Sequence, residues 1–233
     1  MPVIEKVIEK VRLDRSRHAA PQVFEKLREA IVALDLVPGT VLARAELAEQ
    51  FGISQTPIRD ALLKLGEEGL VDIFPQHATV VSRIDISAAK QAHYLRRSIE
   101  LEVVRTLAQQ PDPATLERLR AQVERMVLVM GPEHYSEFVA ADQDFHRLMY
   151  EAAGVAGLWD LVRRMSGHVD RLRRLHLPTE GKTAAVVQDH RAIVDAIAAG
   201  HPANAQDQLR AHLSGTLSQL DEICARHPDY VVA

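Results

Sequence analysis

The position of its β-strand patterning is the feature that most constrains this fold. In the 233-residue chain, strand-like sequence is confined to Leu70–Phe74 and Ala78–Ser82, with Pro75-Gln76-His77 as the turn between them. From Ser87 onward the apolar residues recur at helical spacing. The sequence therefore predicts a mainly α protein, with one β-hairpin between an N-terminal helical segment and an all-helical remainder.

Composition narrows the class of protein. Hydrophobic residues make up 47% of the chain and aromatic residues only 4%, which favours helices packed through aliphatic side chains. The single cysteine, Cys224, excludes an intramolecular disulfide and a CxxC metal site. The charged N-terminus does not resemble a secretory signal, and no run approaches the ~18 apolar residues that a membrane helix needs. We expect a cytoplasmic protein without membrane association.

The N-terminal segment has the feature order of a winged helix-turn-helix. After an arm at residues 1–17, a helix begins near Ala20-Pro21 and Pro38-Gly39 interrupts the chain. A short helix, residues 45–51, stops at Gly52, and Ser54 is a suitable N-cap for the next helix, which the hairpin follows. This order within about 65 residues predicts a DNA-binding domain over residues 18–83.

The second helix of this motif should present its polar side to a DNA groove. Its buried side should be an apolar stripe, and Arg59 suits a guanine edge or a phosphate. The predicted DNA-binding residues are Arg44, Ser54, Gln55, Thr56, Arg59, Lys64, Gln76 and His77. The net charge of −4 requires that affinity come from local placement of these groups. A helical hairpin with a solvated charged face is the alternative that the pattern alone leaves open.

The residues themselves resemble the GntR family of bacterial regulators over residues 20–82. The matching segments are Pro38-Gly39-Thr40-Val41-Leu42, Glu46-Leu47-Ala48, Phe51-Gly52-Ile53-Ser54, Thr56-Pro57-Ile58-Arg59-Asp60-Ala61-Leu62 and Glu68-Gly69-Leu70-Val71. The family usually has arginine where this chain has Gln55, and glycine at the wing where it has Ala78. We interpret both departures as a changed operator sequence rather than lost DNA binding.

The remainder, residues 87–227, is predicted to be a six-helix bundle. The expected helices cover about 87–109, 113–130, 134–153, 156–176, 183–199 and 203–227. This half resembles the FCD effector domain of FadR-type GntR regulators, nearer the shorter VanR-like group. The residues that carry the resemblance are Arg96, Glu100, Asp142, His146, Asp189-His190 and His212.

A metal site is predicted in this bundle. Asp142 and His146 are four residues apart on one helix, so their side chains emerge together. His190 and His212, from separate helices, would complete a set of three imidazoles and one carboxylate. Such ligands suit zinc, our preferred metal, or nickel, manganese or iron, and leave room for a ligand oxygen. Spacing alone would favour a surface Asp–His pair, and the family resemblance reverses that preference.

Two further residues are candidate effector contacts. Arg96 could clamp a carboxylate through its planar guanidinium, and a surface pair with Glu100 is the equal alternative. His168 lies on the apolar side of its helix, where a hydrogen-bonded core histidine is the preferred interpretation over a pocket contact.

The sequence thus predicts a homodimeric regulator, by preference a repressor, that binds double-stranded operator DNA. The resemblance implies that a small organic-acid effector, bound at the metal, controls DNA affinity. A metal-dependent hydrolase with an accessory DNA-binding domain is the alternative, but the chain has no HExxH motif, nucleophile elbow or phosphate loop. A metal-stabilised interaction module without an effector would leave the winged domain unexplained.

Overall fold

The computed structural model describes residues 13–74, 78–176, 181–215 and 217–232. These residues form two compact units. The first contains residues up to Ala89, the segment Gly167–Arg174 and residues from Cys224 onward, and the second contains Lys90–Ser166 and Leu175–Ile223. Among the described residues, no helix combines the length and apolar character that crossing a membrane requires.

The first unit is a winged helix-turn-helix, as predicted. Its N-terminal part comprises α1 (Ala19–Val32), α2 (Arg44–Phe51), α3 (Gln55–Glu67) and the antiparallel strands β1 (Val71–Ile73) and β2 (Thr79–Val81). Gly52 ends α2 in the left-handed conformation, at φ 64°, which glycine adopts without a steric penalty. That residue produces the tight turn into α3.

Aliphatic side chains from all three helices form the core of this unit. Leu27 and Ile31 of α1 are fully buried together with Leu47 of α2 and Ile58 and Leu65 of α3. Each helix therefore buries one apolar stripe, and the polar face of α3 stays exposed.

The first unit also contains a strand pair that the sequence did not reveal. Strand β3 (Ile84–Asp85) pairs in parallel with β4 (Val231–Val232). The backbone N–H of Ile84 donates to the carbonyl of Tyr230 at 2.7 Å. The C-terminal segment of the chain is thus joined to the residues that follow the wing.

Helices form the second unit, and the predicted all-helical class is confirmed. The helices from residue 86 onward are α4 (Ile86–Gln109), α5 (Pro113–Leu128), α6 (Tyr135–Ala152), α7 (Ala156–Met165), α8 (Gly167–His176), α9 (Lys182–Ala198), α10 (Pro202–Ser214) and α11 (Leu220–Arg226). Short 3₁₀ turns cover Pro132–His134 and Leu217–Gln219. Of these, α4 and α8 begin in the first unit, and α11 ends in it.

The helix boundaries differ from the prediction at two places. The stretch expected as one helix over 156–176 is divided at Ser166, whose hydroxyl donates to the carbonyl of Arg163 at 2.9 Å. At Gly167 a Cβ atom would lie 2.7 Å from a methyl group of Leu70, so a larger residue there would displace the leucine side chain. The stretch expected as 203–227 is divided after Ser214, where Ser214 and Gly215 are weak helix formers.

Candidate metal centre and DNA-binding face

The four predicted metal ligands lie together in the second unit. Asp142 and His146 occupy successive turns of α6, while His190 comes from α9 and His212 from α10. One ligand atom from each lies within 4.8 Å of all the others. The side chains of Asp142, His146 and His190 are buried, and that of His212 is 5% exposed. Three helices therefore bring together a cluster that could hold a metal ion.

The distances within the cluster fit a metal ion better than hydrogen bonding. The Nε2 atom of His146 lies 3.3 Å from Nε2 of both His190 and His212. Asp142 Oδ1 lies 3.6 Å from the Nε2 of His190 and 3.9 Å from that of His146. Nitrogens at the corners of a tetrahedron, each ~2.0–2.1 Å from zinc, are ~3.3–3.4 Å apart. The donor set and its spacing fit a tetrahedral transition-metal site.

Two carboxylates lie behind the ligand imidazoles. Glu100 Oε2 of α4 lies 3.0 Å from Nδ1 of His146, and both side chains are fully buried. Asp189 Oδ2 of α9 lies 3.5 Å from Nδ1 of His212. Metal-binding histidines in proteins commonly donate their other N–H to a carboxylate, and each of these carboxylates lies near the ring nitrogen that would do so.

Burial and neighbouring charges shift the pKa values of His146 and Glu100. Burial lowers the pKa of His146, and Glu100 only partly offsets that effect, so the imidazole is neutral. Burial alone would raise the pKa of Glu100, but Arg96 and His146 bring it down to about 2. Glu100 is therefore an anion at neutral pH.

The predicted effector contacts are in different places. Arg96 Nε donates to Glu100 Oε1 at 2.7 Å, so the alternative Arg96–Glu100 pair is formed, but it is buried rather than on the surface. His168 lies in the first unit, where its Nδ1 accepts the backbone N–H of Asp85 at 3.0 Å. The structure does not bring His168 together with the four-residue cluster, and its hydrogen bond matches the core-histidine interpretation.

The predicted DNA-binding residues of helix α3 are exposed. Gln55, Thr56, Arg59 and Lys64 are exposed, and so is Ser54 immediately before the helix. Ser54 has the extended backbone of an N-cap residue, but its side chain makes no capping hydrogen bond. This leaves its hydroxyl available for a phosphate.

The remaining predicted DNA contacts are Arg44 of α2 and the wing residues, and Lys64 of α3 has a further contact. Arg44 is exposed at the first position of α2. Lys64 Nζ lies 4.4 Å from the centre of the Phe24 ring, a cation–π contact that orients the lysine. Gln76 and His77, at the predicted tip of the wing, lie outside the described residues.

The arrangement defines a class of protein, namely a DNA-binding module joined to a helical domain with a candidate metal centre. Comparison with known families agrees. Residues 19–81 match the model described as "Bacterial regulatory proteins, gntR family", and residues 91–215, more than half of the chain, match the FCD domain. The chain belongs to the GntR family of transcriptional regulators and carries an FCD domain.

Individual relatives are also regulators. A protein of Streptomyces ambofaciens, "Uncharacterized HTH-type transcriptional regulator in unstable DNA locus", is 34% identical over 209 residues, which are 89% of this chain and 87% of the relative. The "HTH-type transcriptional repressor RspR" of Escherichia coli K12 is 24% identical over 94% of this chain and 96% of its own. The family and these relatives are regulators, not enzymes, so the hydrolase alternative is set aside.

A solved structure supports the same fold. The structure of E. coli McbR/YncC superposes with a TM-score of 0.73 and 20% sequence identity, covering 88% of this chain and 98% of that protein. The likeness extends over both the DNA-binding and the helical parts of the fold.

Proposed function

We propose that this chain is a homodimeric transcription repressor whose operator affinity is set by a small carboxylate effector bound at a metal centre. The observation that most directly supports this proposal is that three imidazole Nε2 atoms and the Asp142 carboxylate converge in a protein that also has an exposed helix-turn-helix. Residues 18–83 would bind DNA and residues 87–227 would sense the effector. The relative named as a repressor supports the sign of regulation.

Zinc is the preferred metal because its tetrahedral site accepts imidazole nitrogen and carboxylate oxygen. Asp142, His146, His190 and His212 would hold it. A bound metal would supply a Lewis-acidic position for an effector oxygen. The chain's own contribution is to place three imidazoles in a buried pocket, while Arg96 adds a positive charge next to Glu100. A carboxylate effector would complement both features.

In the proposed dimer, two α3 helices would meet half-sites ~34 Å apart. Arg59 and Gln55 would contact base edges, and Ser54, Thr56, Arg44 and Lys64 would contact phosphates. The wing residues Gln76 and His77 would contact the backbone or minor groove next to them. The effector can lower operator affinity only to the extent that it prefers the arrangement of the dimer that does not bind DNA.

The test is a mobility-shift titration with DNA from upstream of the protein's own operon, on zinc-loaded protein. We expect a specific shift that weakens at least tenfold in Arg59→Ala, because each base contact contributes ~1–3 kcal/mol. Arg120→Ala, which removes an exposed arginine from α5, is the matched control and should bind like wild type. Absence of a shift at moderate salt, with and without metal, would refute the proposal.

The effector component needs its own measurement. A thermal-shift screen of small carboxylic acids on zinc-loaded protein should identify ligands that stabilise the protein and release the DNA. The same compounds should have no effect on metal-free protein. Ligands that stabilise both forms equally would separate effector binding from the metal and contradict this part of the proposal.

A further inference from the structure

Glu100 is a fully buried carboxylate that the proposed metal set does not use. It lies in the middle of α4, and its two oxygens contact different partners. Oε1 accepts from Arg96 Nε at 2.7 Å and from the Tyr150 hydroxyl at 3.4 Å. Oε2 lies 3.0 Å from Nδ1 of His146. Burying a carboxylate costs folding free energy unless it is paired with a charge and hydrogen-bonded, as Glu100 is here.

The contact with His146 is on the opposite side of the imidazole from the metal cluster. Nδ1 faces Glu100, whereas Nε2 faces His190 and His212, each at 3.3 Å. Glu100 therefore does not share the position of the ligand atoms. Any effect that it has on the metal must pass through His146.

We propose that Glu100 is a positioning residue for the metal centre: it accepts the Nδ1–H of His146 and so turns the Nε2 lone pair toward the other ligands. A neutral imidazole carries one N–H, and a carboxylate at Nδ1 selects the tautomer with a lone pair at Nε2. The same contact fixes the rotation of the ring and increases its basicity as a ligand. This proposal rests on the metal centre proposed above.

Arg96 and Tyr150 hold Glu100 in this role. Both donate to Oε1, so Oε2 points to His146. Arg96 lies one helical turn before Glu100 and its side chain is only 12% exposed, so the ion pair fixes the position of the carboxylate. Arg96, a predicted effector contact, thus also acts on the metal centre through Glu100.

Asp189 offers an internal comparison. It lies 3.5 Å from Nδ1 of His212, but its side chain is 44% exposed. Water competes for an exposed carboxylate, and a longer contact orients the ring less strictly. We expect Asp189 to contribute in the same direction as Glu100 and by a smaller factor.

The experiment measures Zn²⁺ affinity by competition with a chromophoric chelator at fixed pH. Glu100→Gln should weaken zinc binding ~10–100-fold, the range found for residues that orient metal ligands. Asp189→Asn should weaken it less. Glu102→Gln is the matched control, because Glu102 lies on the same helix, exposed and paired with Arg105, and it should bind zinc like wild type.

A purely structural role for Glu100 is distinguished by two further readouts. Long-range ¹⁵N NMR of the metal-free protein should show the Nδ1–H tautomer of His146 in wild type and a mixture in Glu100→Gln. The visible spectrum of the Co²⁺-loaded protein should change in Glu100→Gln and not in Glu102→Gln. If Glu100→Gln does not fold, the double variant Arg96→Gln/Glu100→Gln removes both buried charges and serves the same comparison.

The outcomes separate this proposal from the one on which it rests. Wild-type zinc affinity in a folded Glu100→Gln variant, or an Nε2–H tautomer of His146 in the wild-type protein, would overturn the role of Glu100 and leave the metal centre standing. Failure of the wild-type protein to bind zinc, nickel, manganese or iron would refute the metal centre itself. His190→Ala should lose the metal whether or not Glu100 positions His146.

Discussion

The first and second units each contain buried histidine, and the two environments are opposite. In the first unit, His168 Nδ1 accepts from the backbone N–H of Asp85 and from Arg171 Nη2, both at 3.0 Å. In the second unit, Nε2 of His146 faces Nε2 of His190 and of His212. Nδ1 of His168 is therefore surrounded by protein donors, whereas Nε2 of His146 is surrounded by groups that can act as acceptors.

This difference shows why burial and residue type do not identify a metal ligand. Arginine is always a donor, so the lone pair at Nδ1 of His168 is already used within the protein. Three Nε2 atoms lie close to one another in the second unit, and under the proposed function a bound cation would accept their lone pairs. The distinguishing property is the direction in which donors approach the ring.

The largest expected effect follows directly from this contrast. His212→Ala should abolish the stabilisation by zinc, which for wild type is ~4 kcal/mol when free zinc is a thousandfold above its Kd. His168→Asn should keep the zinc-dependent increment unchanged. Chemical unfolding with zinc and with a chelator measures both. A zinc increment that survives in His212→Ala, or disappears in His168→Asn, would show that the two clusters have been assigned the wrong roles.

The next effect tests the hydrogen-bonded cluster of Arg171, His168 and Ser82 in the first unit. Arg171 is fully buried, and its Nη1 donates to the carbonyl of Ser82 at 2.7 Å. Arg171→Met keeps the aliphatic stem but removes the donor that bonds the buried carbonyl of Ser82, a loss of ~3 kcal/mol. Arg164→Met, which alters an exposed arginine of α7, is the control. Zinc stoichiometry should not change in either variant, and a lost metal in Arg171→Met would contradict the separation of the two clusters.

Local sequence signals predicted much of the fold. The apolar stripe of α3 and the glycine at position 52 are properties of neighbouring residues, so the two helices and the turn between them followed from spacing. The resemblance to the GntR family was needed to prefer a helix-turn-helix over a helical hairpin with a solvated face. The same holds for Asp142 and His146, one helical turn apart. The family resemblance was needed to add His190 and His212, because no spacing rule links residues on separate helices.

Non-local contacts set the limit of that prediction. Glu100 four residues after Arg96 has the spacing of an ordinary surface ion pair, and only the packing of α4 and α6 shows that it is buried against His146. The pairing of β3 with β4 joins two-residue strands from distant parts of the chain, which carry no periodic signal. The close approach of Leu70 to Gly167 is likewise a contact that sequence spacing does not report.

The pH dependence of folding stability should distinguish His168, whose Nδ1 accepts from two protein donors. Burial and then Arg171 lower the pKa of His168 from its ordinary value of 6.5 to about 4. Between these values the unfolded chain binds a proton that the folded protein does not, so stability is complete above pH 6.5 and is lost as the pH falls toward 4. At pH 5 the expected loss from this group is ~2 kcal/mol.

The variant His168→Asn should remove this part of the pH dependence, because its amide oxygen can accept from Asp85 but does not titrate. Chemical unfolding of metal-free protein between pH 4.5 and 7.5 measures the slope. His201→Asn alters an exposed histidine and should retain the wild-type slope. Equal slopes for wild type and His168→Asn would show that His168 binds its proton in the folded protein as readily as in the unfolded chain.

The smallest expected effect separates the two acceptors that Ser82 offers to Arg171. Its carbonyl accepts at 2.7 Å, whereas its hydroxyl lies 3.3 Å from Nη2 and donates to the carbonyl of Gly69 at 2.6 Å. Ser82→Ala removes only the hydroxyl, so we expect a loss of ~1 kcal/mol. Ser98→Ala removes an exposed hydroxyl from α4 and should change stability less. A loss in Ser82→Ala as large as that of Arg171→Met would mean that the hydroxyl of Ser82, rather than its backbone carbonyl, holds the Arg171 guanidinium in place. The hydroxyl would then also fix the Nη2 group that donates to Nδ1 of His168.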